Sequence, residues 1–223
     1  MAGIVPMEAR GVHPPGGAPV QLQAYGRPGQ FICSASRSLL NRALLNACDA
    51  LPNVRCFFDA SVRSLGADNT LVVALADGTT RTYVPRLVVG ADGAYSSVRT
   101  SMLRHVRMDF ARTYIDHAYK ELTMPPTADG GWAMPQCNAL HIWPRHSFMM
   151  IALPNPDRSY TLTLFLPWRL FESLDAAASG AGAAASSLVR DFFVEHFADA
   201  LPLIPDVEGQ FKQNPTSAWG CVW

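Results

Sequence analysis

The segment Leu87–Arg99 constrains the fold of this chain more than any other stretch. It reads LVVGADGAYSSVR, an apolar run that ends in Gly-Ala-Asp-Gly and continues as an amphipathic stretch. This order predicts a buried strand that leads through a tight turn into a helix beginning near Ala94. Gly90 and Gly93 would let the backbone approach a ligand closely, and Asp92 could hold a ribose hydroxyl, a water or a backbone N–H. The free N–H groups of the helix would face an anion, although an ordinary strand-to-helix turn explains the same residues.

Composition indicates a globular protein with a substantial core. The 223 residues are 49% hydrophobic and 16% charged, and 18 basic side chains balance 18 acidic ones. Such a balance gives no overall field that would attract nucleic acid or an anionic membrane surface. No run of 18 apolar residues occurs, so the sequence predicts no transmembrane segment.

The cysteines and histidines do not follow a metal-binding pattern. The five cysteines are widely spaced and include no Cys-x-x-Cys pair, so we expect reduced, mostly buried thiols. His141 and His146 flank Trp143 and Arg145, a spacing that does not direct several ligands towards one metal ion. We therefore expect one strand histidine and one loop histidine and assign no metal.

Apolar periodicity predicts a mixed first half. Apolar residues at helical spacing from Leu39 to Leu51 follow Ser36, a good N-cap, and predict a helix that closes at Pro52. A turn at Asp77-Gly78 joins two of the predicted strands. These strands lie at residues 3–12, 20–25, 30–35, 54–58, 61–65, 70–75 and 79–84.

The second half predicts an antiparallel sheet of long strands, at residues 113–124, 139–143, 148–153 and 160–166. The segment Ala176–Ser187 contains only Ala, Gly and Ser, which is typical of a flexible surface insertion. Residues 188–197 predict a helix with an apolar face. The Pro- and Gly-rich tail to Trp223 shows no clear terminal element.

The order of these elements predicts an α/β fold of mixed α+β character. We expect a partial Rossmann-like nucleotide-binding domain over residues 1–112, an antiparallel-sheet substrate domain over 113–210, and a truncated return to the first domain over 211–223. A doubly wound dinucleotide domain needs a Gly-x-Gly-x-x-Gly turn after its first strand, and this sequence has none. We therefore expect the chain to be incomplete at both ends.

The string Leu-Val-Val-Gly-Ala-Asp-Gly-Ala-x-Ser-x-Val-Arg resembles the Asp-Gly motif of the FAD-dependent aromatic hydroxylases. In that family one motif contacts both the flavin pyrophosphate and NADPH. Residues 4–13, 31–41 and 140–155 narrow the resemblance to the members that hydroxylate kynurenine, and residues 114–126 and 199–204 agree. The resemblance thus spans nearly the whole chain and implies that the nucleotide-binding domain is a partial FAD-binding domain.

The resemblance implies a flavoprotein monooxygenase that uses FAD and NADPH to hydroxylate L-kynurenine at ring position 3. The cofactor carries the oxygen chemistry, and the protein supplies orientation and a dry pocket. We expect the fragment alone to be soluble and inactive, with the small aromatic amino acid kynurenine as the ligand of the whole enzyme and no nucleic acid partner. For a eukaryotic parent enzyme, the resemblance implies the mitochondrial outer membrane.

The resemblance also assigns substrate-binding residues. Arg10 and Tyr25 match the family's kynurenine-binding positions, which is chemically sensible because a carboxylate needs a bidentate cation and a hydroxyl can add a donor. A solvated arginine and a tyrosine at the edge of the core are the alternatives. A second set would line the aromatic pocket, with ordinary core packing as its alternative: Leu140, Ile151, Leu153 and Phe165.

Five further positions match cofactor contacts of the family. Arg37 stands at the start of a helix and matches a flavin-contacting arginine, and Val62 would contact the adenine end through its backbone. Ser97 falls where the family has a small hydroxyl residue beside the flavin. Asp92 and Gly93 are the Asp-Gly pair itself, and no side chain is assigned a catalytic role.

Departures from the family keep two other interpretations open. The chain lacks the N-terminal Gly-rich turn, the second Gly-Asp motif and the C-terminal substrate contacts of the family. It could belong to a related flavin monooxygenase with another aromatic substrate, although the pair Arg10 and Tyr25 argues for a substrate with a carboxylate. It could also be a non-catalytic remnant that binds a small molecule, which flavin absorbance of the purified protein would distinguish.

Overall fold

The computed structural model describes residues 3–179 and 183–222. These residues form the mixed α/β fold expected from the sequence. The helices of this part of the chain are α1 Arg37–Asp49, α2 Ser97–Met102, α3 Trp168–Ser179, α4 Ala183–His196 and α5 Val207–Gln213. Its strands are β1 Ile4–Met7, β2 Ala9–Val12, β3 Gln21–Ala24, β4 Ile32–Ala35, β5 Ala60–Leu65, β6 Leu71–Leu75, β7 Thr80–Tyr83, β8 Arg112–Met124, β9 Ala139–Arg145, β10 Phe148–Pro154, β11 Tyr160–Pro167 and β12 Ser217–Val222.

The chain divides into two compact units. Residues up to Arg42 and those from Tyr114 to Trp219 form the first, which we call the sheet unit. Residues from Ala43 to Thr113 and those from Gly220 onward form the second, which we call the small unit. The predicted division into a cofactor-binding domain and a substrate domain concerns ligands, so it stays a prediction.

A seven-stranded sheet is the scaffold of the sheet unit. Its strand order is β12-β8-β11-β10-β9-β2-β3. The four long strands β8 to β11 confirm the predicted antiparallel sheet, and β2 joins its edge parallel to β9. Side chains alternate between buried and half-buried along β9, β10 and β11, because successive residues of a strand point to opposite faces. We call the half-buried side the open face and the other the covered face.

Helices α3, α4 and α5 contribute to the core on the covered face. Large apolar side chains of the helices and strands form one buried cluster, which includes Trp143, Leu162, Phe171, Phe193 and Phe211. Burying one such side chain contributes roughly 1.5–3 kcal/mol relative to leaving it exposed. This cluster therefore determines which face of the sheet is left open.

Helix α1 begins behind Ser36 as predicted. The N–H of Leu39 donates to Ser36 Oγ at 3.4 Å, and the N–H of Leu40 donates to the Ser36 carbonyl at 2.9 Å. A serine oxygen satisfies a helix-terminal donor that has no partner within the helix. The helix ends at Asp49, shortly before Pro52, which cannot continue a helix.

The small unit contains a three-stranded antiparallel sheet, β5-β6-β7, which confirms three of the predicted strands. Its predicted turn at Asp77-Gly78 is also present. Gly78 has a φ of 80°, and the Asp77 carboxylate accepts the N–H of Thr79 at 2.9 Å. Glycine adopts positive φ without strain, so the turn residues fix the junction of β6 and β7.

Two other strands predicted for the small unit are wrong. Neither residues 54–58 nor Leu87–Val89 pair with any strand in the part of the chain that the structure describes. Leu87 is 77% exposed and Val89 is 78% exposed, so the run before Gly90 is not buried. A buried parallel strand needs hydrogen-bonding neighbours and cover on both faces, and apolar composition alone supplies neither.

The Ala-rich segment and the tail are more ordered than the sequence predicted. The flexible insertion expected over Ala176–Ser187 is wrong where it is described, since α3 continues to Ser179 and α4 begins at Ala183; residues 180–182 lie outside the described residues. Alanine has the highest helix propensity, so it extends helices that core side chains anchor. The tail forms a 3-10 turn, α5 and the edge strand β12, which contradicts the expectation of no clear element.

The thiols are free as expected but not buried. Cys33 and Cys48 are exposed, and Cys56 and Cys137 are half-buried, so the prediction of mostly buried thiols is wrong for these four. Among the described helices, none combines the length and the apolarity that crossing a bilayer requires.

Candidate functional site

The open face places predicted substrate residues on one surface. Arg10 in β2 is the register partner of Leu140 in β9. Ile142, two residues further along β9, is the partner of Ile151 in β10. Partners in register share a face, and so do residues two apart in one strand. Arg10 therefore stands at the edge of an apolar surface that begins with Leu140 and Ile151.

The same surface continues across β10 and β11. Leu153 lies two residues after Ile151 and is the partner of Thr161, and Phe165 is the partner of Met149. Both Leu153 and Phe165 are half-buried, as are Leu140 and Ile151. We call the four apolar side chains the platform: Leu140, Ile151, Leu153 and Phe165.

Arg10 and Tyr25 are in contact at the edge of the sheet. Tyr25 follows β3 directly, and its N–H donates to the Glu8 carbonyl at 3.1 Å. The Arg10 Cζ atom lies 5.2 Å from the centroid of the Tyr25 ring. A guanidinium over an aromatic face is attracted by the ring's negative face, and this contact restrains a side chain that is otherwise exposed. The structure thus brings the two predicted carboxylate-binding residues together.

The hydroxyl of Tyr25 is a polar atom without a partner. Its Oη atom is buried and has no hydrogen-bond partner among the described residues. Leaving a buried polar group unsatisfied costs about 1–3 kcal/mol. A ligand that placed a hydrogen-bonding group here would remove that cost.

A groove beside the platform contains Arg37, the predicted flavin contact at the start of α1. The groove consists of two pockets of about 450 Å³ and 350 Å³, and Arg37, Glu121 and Thr161 line both of them. The smaller pocket also reaches Leu153, so it joins a predicted cofactor residue to the platform. Other polar residues that line the groove are Ser34, Ser36, Ser38, Tyr119, Thr123, Asn155, Thr163, Asn214 and Ser217.

The sequence did not single out Glu121 or Thr161. Glu121 is the partner of Thr163, and Thr161 is the partner of Thr123, so all four belong to the open face. The alternation along β8 and β11 carries this information, because residues two apart from Phe165 must share its face. Alternation could therefore have found them once one residue of the face was assigned.

The Gly-Ala-Asp-Gly turn of the small unit is built around the Asp92 carboxylate. Its Oδ2 atom accepts the N–H groups of Ser97 at 2.7 Å and Val98 at 3.2 Å, and its Oδ1 atom accepts the Ser96 hydroxyl. The hydrogen bond from Ser96 is the main effect that lowers the pKa of Asp92 below its ordinary value. Asp92 thus satisfies the N–H groups that we expected to face an anion, and α2 begins at Ser97 rather than near Ala94.

Local geometry requires both glycines of the turn. A Cβ atom on Gly90 would lie 2.9 Å from Cγ1 of Val98, so glycine allows the backbone to approach α2. Gly93 has a φ of 81°, which favours glycine, and nothing lies within 4 Å of the position of an added Cβ. The turn is therefore self-supporting, while the space beside Gly93 is open.

The remaining predicted cofactor residues also lie in the small unit. Val62 is half-buried in β5 as the partner of Val73, and Ser97 is the exposed first residue of α2. Helix α2 packs against β5. The structure thus groups four predicted cofactor residues in the small unit, Val62, Asp92, Gly93 and Ser97, and places Arg37 in the groove of the sheet unit.

No protein-family model matches the chain, but curated proteins do. The chain is 42% identical over 202 residues to the kynurenine 3-monooxygenase of Anopheles gambiae, which covers 90% of this chain and 40% of that protein. It is 40% identical to the Sus scrofa enzyme of the same name over 90% of this chain and 40% of the relative. For the Candida albicans enzyme the identity is 37%, over 95% of this chain and 45% of the relative. The chain therefore spans less than half the length of these relatives.

Solved structures of oxygenases share the fold. A tetrameric 2-methyl-3-hydroxypyridine-5-carboxylic acid oxygenase matches with a TM-score of 0.63 and 19% identity, over 97% of this chain and 52% of that one. The PqsL protein of P. aeruginosa, in complex with 2-aminobenzoylacetate, matches with a TM-score of 0.61 and 17% identity, over 97% and 55% of the two chains. At this identity the likeness concerns the fold, and it confirms the fold class expected from the aromatic-hydroxylase resemblance.

Proposed function

We propose that this chain is part of an FAD- and NADPH-dependent kynurenine 3-monooxygenase, which converts L-kynurenine to 3-hydroxykynurenine. The observation that carries the proposal is its 36–42% identity to enzymes of that name over 90–96% of this chain. The open face adds a chemical argument, because it combines a cation, an unpartnered hydroxyl and an apolar platform. Kynurenine presents a carboxylate, a ketone and an aromatic ring to match them.

Arg10 binds the substrate carboxylate in this proposal. Its planar guanidinium can donate two parallel hydrogen bonds to one carboxylate, which fixes orientation as well as charge. Tyr25 supports Arg10 through the ring contact, and its buried hydroxyl donates to the carboxylate or the ketone. These two residues hold the polar end of the substrate at the edge of the sheet.

The platform binds the aromatic end. Its four side chains are apolar and half-buried and share one face of β9, β10 and β11, which suits the face of an aminophenyl ring. Covering the ring on this surface removes apolar area from water and excludes solvent from the reacting carbon. The separation between Arg10 and the platform then favours substrates whose carboxylate and aromatic ring are the same distance apart.

The cofactor residues are Arg37, Val62, Asp92, Gly93 and Ser97. FAD, reduced by NADPH, would supply the oxygen chemistry when bound. Arg37 and the hydroxyl groups of the groove fit a polar, hydrogen-bonding cofactor next to the platform. In the small unit, the open space beside Gly93 admits a ligand backbone, while Asp92 keeps the turn and α2 in place.

Two finer assignments rest on the resemblance alone. We propose residues 1–112 as part of the FAD- and NAD(P)-binding domain, residues 113–210 as the substrate domain and residues 211–223 as a return to the first. For a eukaryotic parent enzyme we propose the mitochondrial outer membrane as its location.

Calorimetric titration of this chain tests the proposal with two ligands. L-Kynurenine carries the amino-acid end, and 2-aminoacetophenone has the same aminophenyl ketone without it. We expect kynurenine to bind roughly ten-fold or more tightly than 2-aminoacetophenone, because only kynurenine offers Arg10 a carboxylate. Equal affinities, or no binding of kynurenine, would contradict the proposal. Tighter binding of 4-hydroxybenzoate than of kynurenine would favour a related hydroxylase with another substrate.

A further inference from the structure

A chain of hydrogen bonds crosses the sheet unit on the side opposite Arg10. His13 directly follows β2, and its Nδ1 atom lies 2.7 Å from Asp199 Oδ2. Its Nε2 atom lies 2.9 Å from His141 Nδ1, and His141 Nε2 lies 2.9 Å from the Gln136 carbonyl. His13 is buried and His141 is fully buried. This series of hydrogen bonds thus links β2, β9 and the segment after α4.

The acceptors at the two ends of this series of hydrogen bonds determine which ring nitrogens donate. The Gln136 carbonyl can only accept, so His141 donates from Nε2. Burial lowers the pKa of His141 to about 4, so its Nδ1 atom carries no proton at neutral pH and accepts from His13. Burial raises the pKa of Asp199, but hydrogen bonds from His13 and Trp143 outweigh it and leave that pKa below its ordinary value. The Asp199 carboxylate therefore accepts as well, so each ring nitrogen of His13 faces an acceptor.

The surroundings of His13 suit a cation. Its ring stacks on Trp143 with 3.9 Å between centroids and 22° between planes, and the indole N–H donates to Asp199 Oδ2 at 2.8 Å. A cation over an indole face is attracted by the ring. The Arg145 guanidinium donates to the His13 carbonyl at 3.0 Å. Glu195 and His196 of α4 line the same pocket as Asp199 and pair with each other at 3.7 Å.

The strand that His13 terminates is short. Strand β2 has four residues and carries Arg10, and β3, which precedes Tyr25, joins the seven-stranded sheet only through β2. Backbone bonds hold this two-stranded ribbon to β9, one of them from the His13 N–H to the Ile142 carbonyl at 2.8 Å. The side chain of His13 adds an ionic contact at the same end.

We propose that His13 is a positioning residue whose imidazolium clamps the β2–β3 ribbon to the sheet and so holds Arg10 and Tyr25 in their substrate-binding geometry. The part that concerns substrate rests on the proposed function above. The clamp itself is a property of the folded chain and can be measured without any ligand. Asp199 is its partner, because it supplies the negative charge that keeps the second proton on His13.

The variant Asp199→Asn tests the clamp, because it keeps the shape of the side chain and removes its charge. The matched control is Glu195→Gln, which removes a carboxylate from the same end of the sheet unit without a bond to His13. Nitrogen-15 spectra of the histidine rings at pH 7 should show both His13 nitrogens protonated in the parent and in Glu195→Gln. In Asp199→Asn, one His13 nitrogen should lose its proton.

Amide hydrogen exchange measures the positioning. In Asp199→Asn we expect the amides of Glu8, His13 and Tyr25 to exchange roughly ten-fold faster, since a hydrogen bond to a charged group is lost. Amides of β10 and β11 should keep their parent rates, as should all amides of Glu195→Gln. A singly protonated His13 in the parent, or unchanged exchange in Asp199→Asn, would overturn the clamp.

Kynurenine titration of the same proteins connects the clamp to the site. We expect Asp199→Asn to weaken kynurenine binding by about ten-fold and Glu195→Gln to leave it unchanged. Unchanged affinity in Asp199→Asn, despite faster exchange of the ribbon, would overturn the positioning role. If the parent itself binds no kynurenine, the proposed function fails, while the ring spectra and the exchange rates still decide the clamp.

Discussion

Arg10 and Tyr25 give the open face its most selective chemistry. A planar cation with an exposed guanidinium rests on an aromatic ring whose buried hydroxyl has no partner among the described residues. Sequence resemblance could assign both residues to a substrate carboxylate. It could not reveal their contact or the unsatisfied hydroxyl, because both depend on the pairing of β2 with β3, where Arg10 lies opposite Gln23.

Arg10→Ala should weaken kynurenine binding in a chimera that joins this chain to the segments of a relative that it does not span. Removing one partner of a hydrogen-bonded charge pair typically costs about 2–5 kcal/mol when the other partner remains buried. At about 1.4 kcal/mol per ten-fold, the dissociation constant for kynurenine should rise roughly 30-fold or more, with unchanged flavin content. Arg10→Lys should recover only part of this loss, since it keeps the charge but not the planar fork. Titration followed by flavin fluorescence measures both variants.

Arg27→Ala provides the control for this measurement. Arg27 is an exposed arginine in the turn that follows β3, close in sequence to Tyr25 but without an assigned role. We expect its removal to leave the kynurenine dissociation constant unchanged. A parent-like constant in Arg10→Ala would return Arg10 to the solvated surface.

At the scale of elements, a helix or strand could be predicted from the sequence when its own residues carry the periodicity or capping signal that specifies it. The strands β8 to β11 follow from period-two alternation, and α1 follows from helical spacing behind Ser36. The run Leu87–Val89 has the composition of a buried strand, but that state requires a partner strand that its own residues do not encode. For the Ala-rich segment the sequence predicted too little order. Its residues are helical because alanine favours helices and because Phe171 of α3 and Phe193 of α4 anchor these helices in the core.

The junction of β2 with β9 should make stability depend on pH through His141. Burial lowers the pKa of His141 to about 4, below the value of about 6.5 for an unfolded histidine. Between pH 6.5 and pH 4 the unfolded chain therefore binds a proton at His141 that the folded chain does not bind. The contribution of neutral His141 to the free energy of unfolding is fully present above pH 6.5. It falls by at most about 3 kcal/mol as the pH falls towards 4.

Urea unfolding at several pH values between 4 and 7 measures this loss. His146→Asn is a suitable control, since His146 is an exposed turn residue with a φ of 54°, a conformation that asparagine tolerates. The control should keep the full pH dependence of the parent. A free energy of unfolding that stays constant from pH 6.5 to 4 in the parent would show that His141 is not held neutral by burial.

At the scale of the whole molecule, apolar exposure differs between the two units. The open face of the sheet unit is half-buried, whereas the small unit exposes large side chains in neighbouring segments, among them Phe57, Phe58, Val84, Leu87 and Val89. The rings of Phe57 and Tyr83 lie 6.5 Å apart, so part of this surface is continuous. Contiguous apolar patches of this kind promote association in water.

Self-association of the chain should therefore depend on the small unit, and the double variant Leu87→Ser, Val89→Ser should associate less than the parent at equal concentration. Both side chains are more than three-quarters exposed, so their loss should change the free energy of unfolding by only about 0.5 kcal/mol each. Sedimentation velocity over a range of concentrations measures the effect. The matched control is Leu188→Ser, Val194→Ser on α4, where both side chains are 54% exposed. We expect this control to associate like the parent, because its two residues belong to the sheet unit. If instead the α4 variant were the one that dissociated, the apolar surface that drives association would lie on the sheet unit.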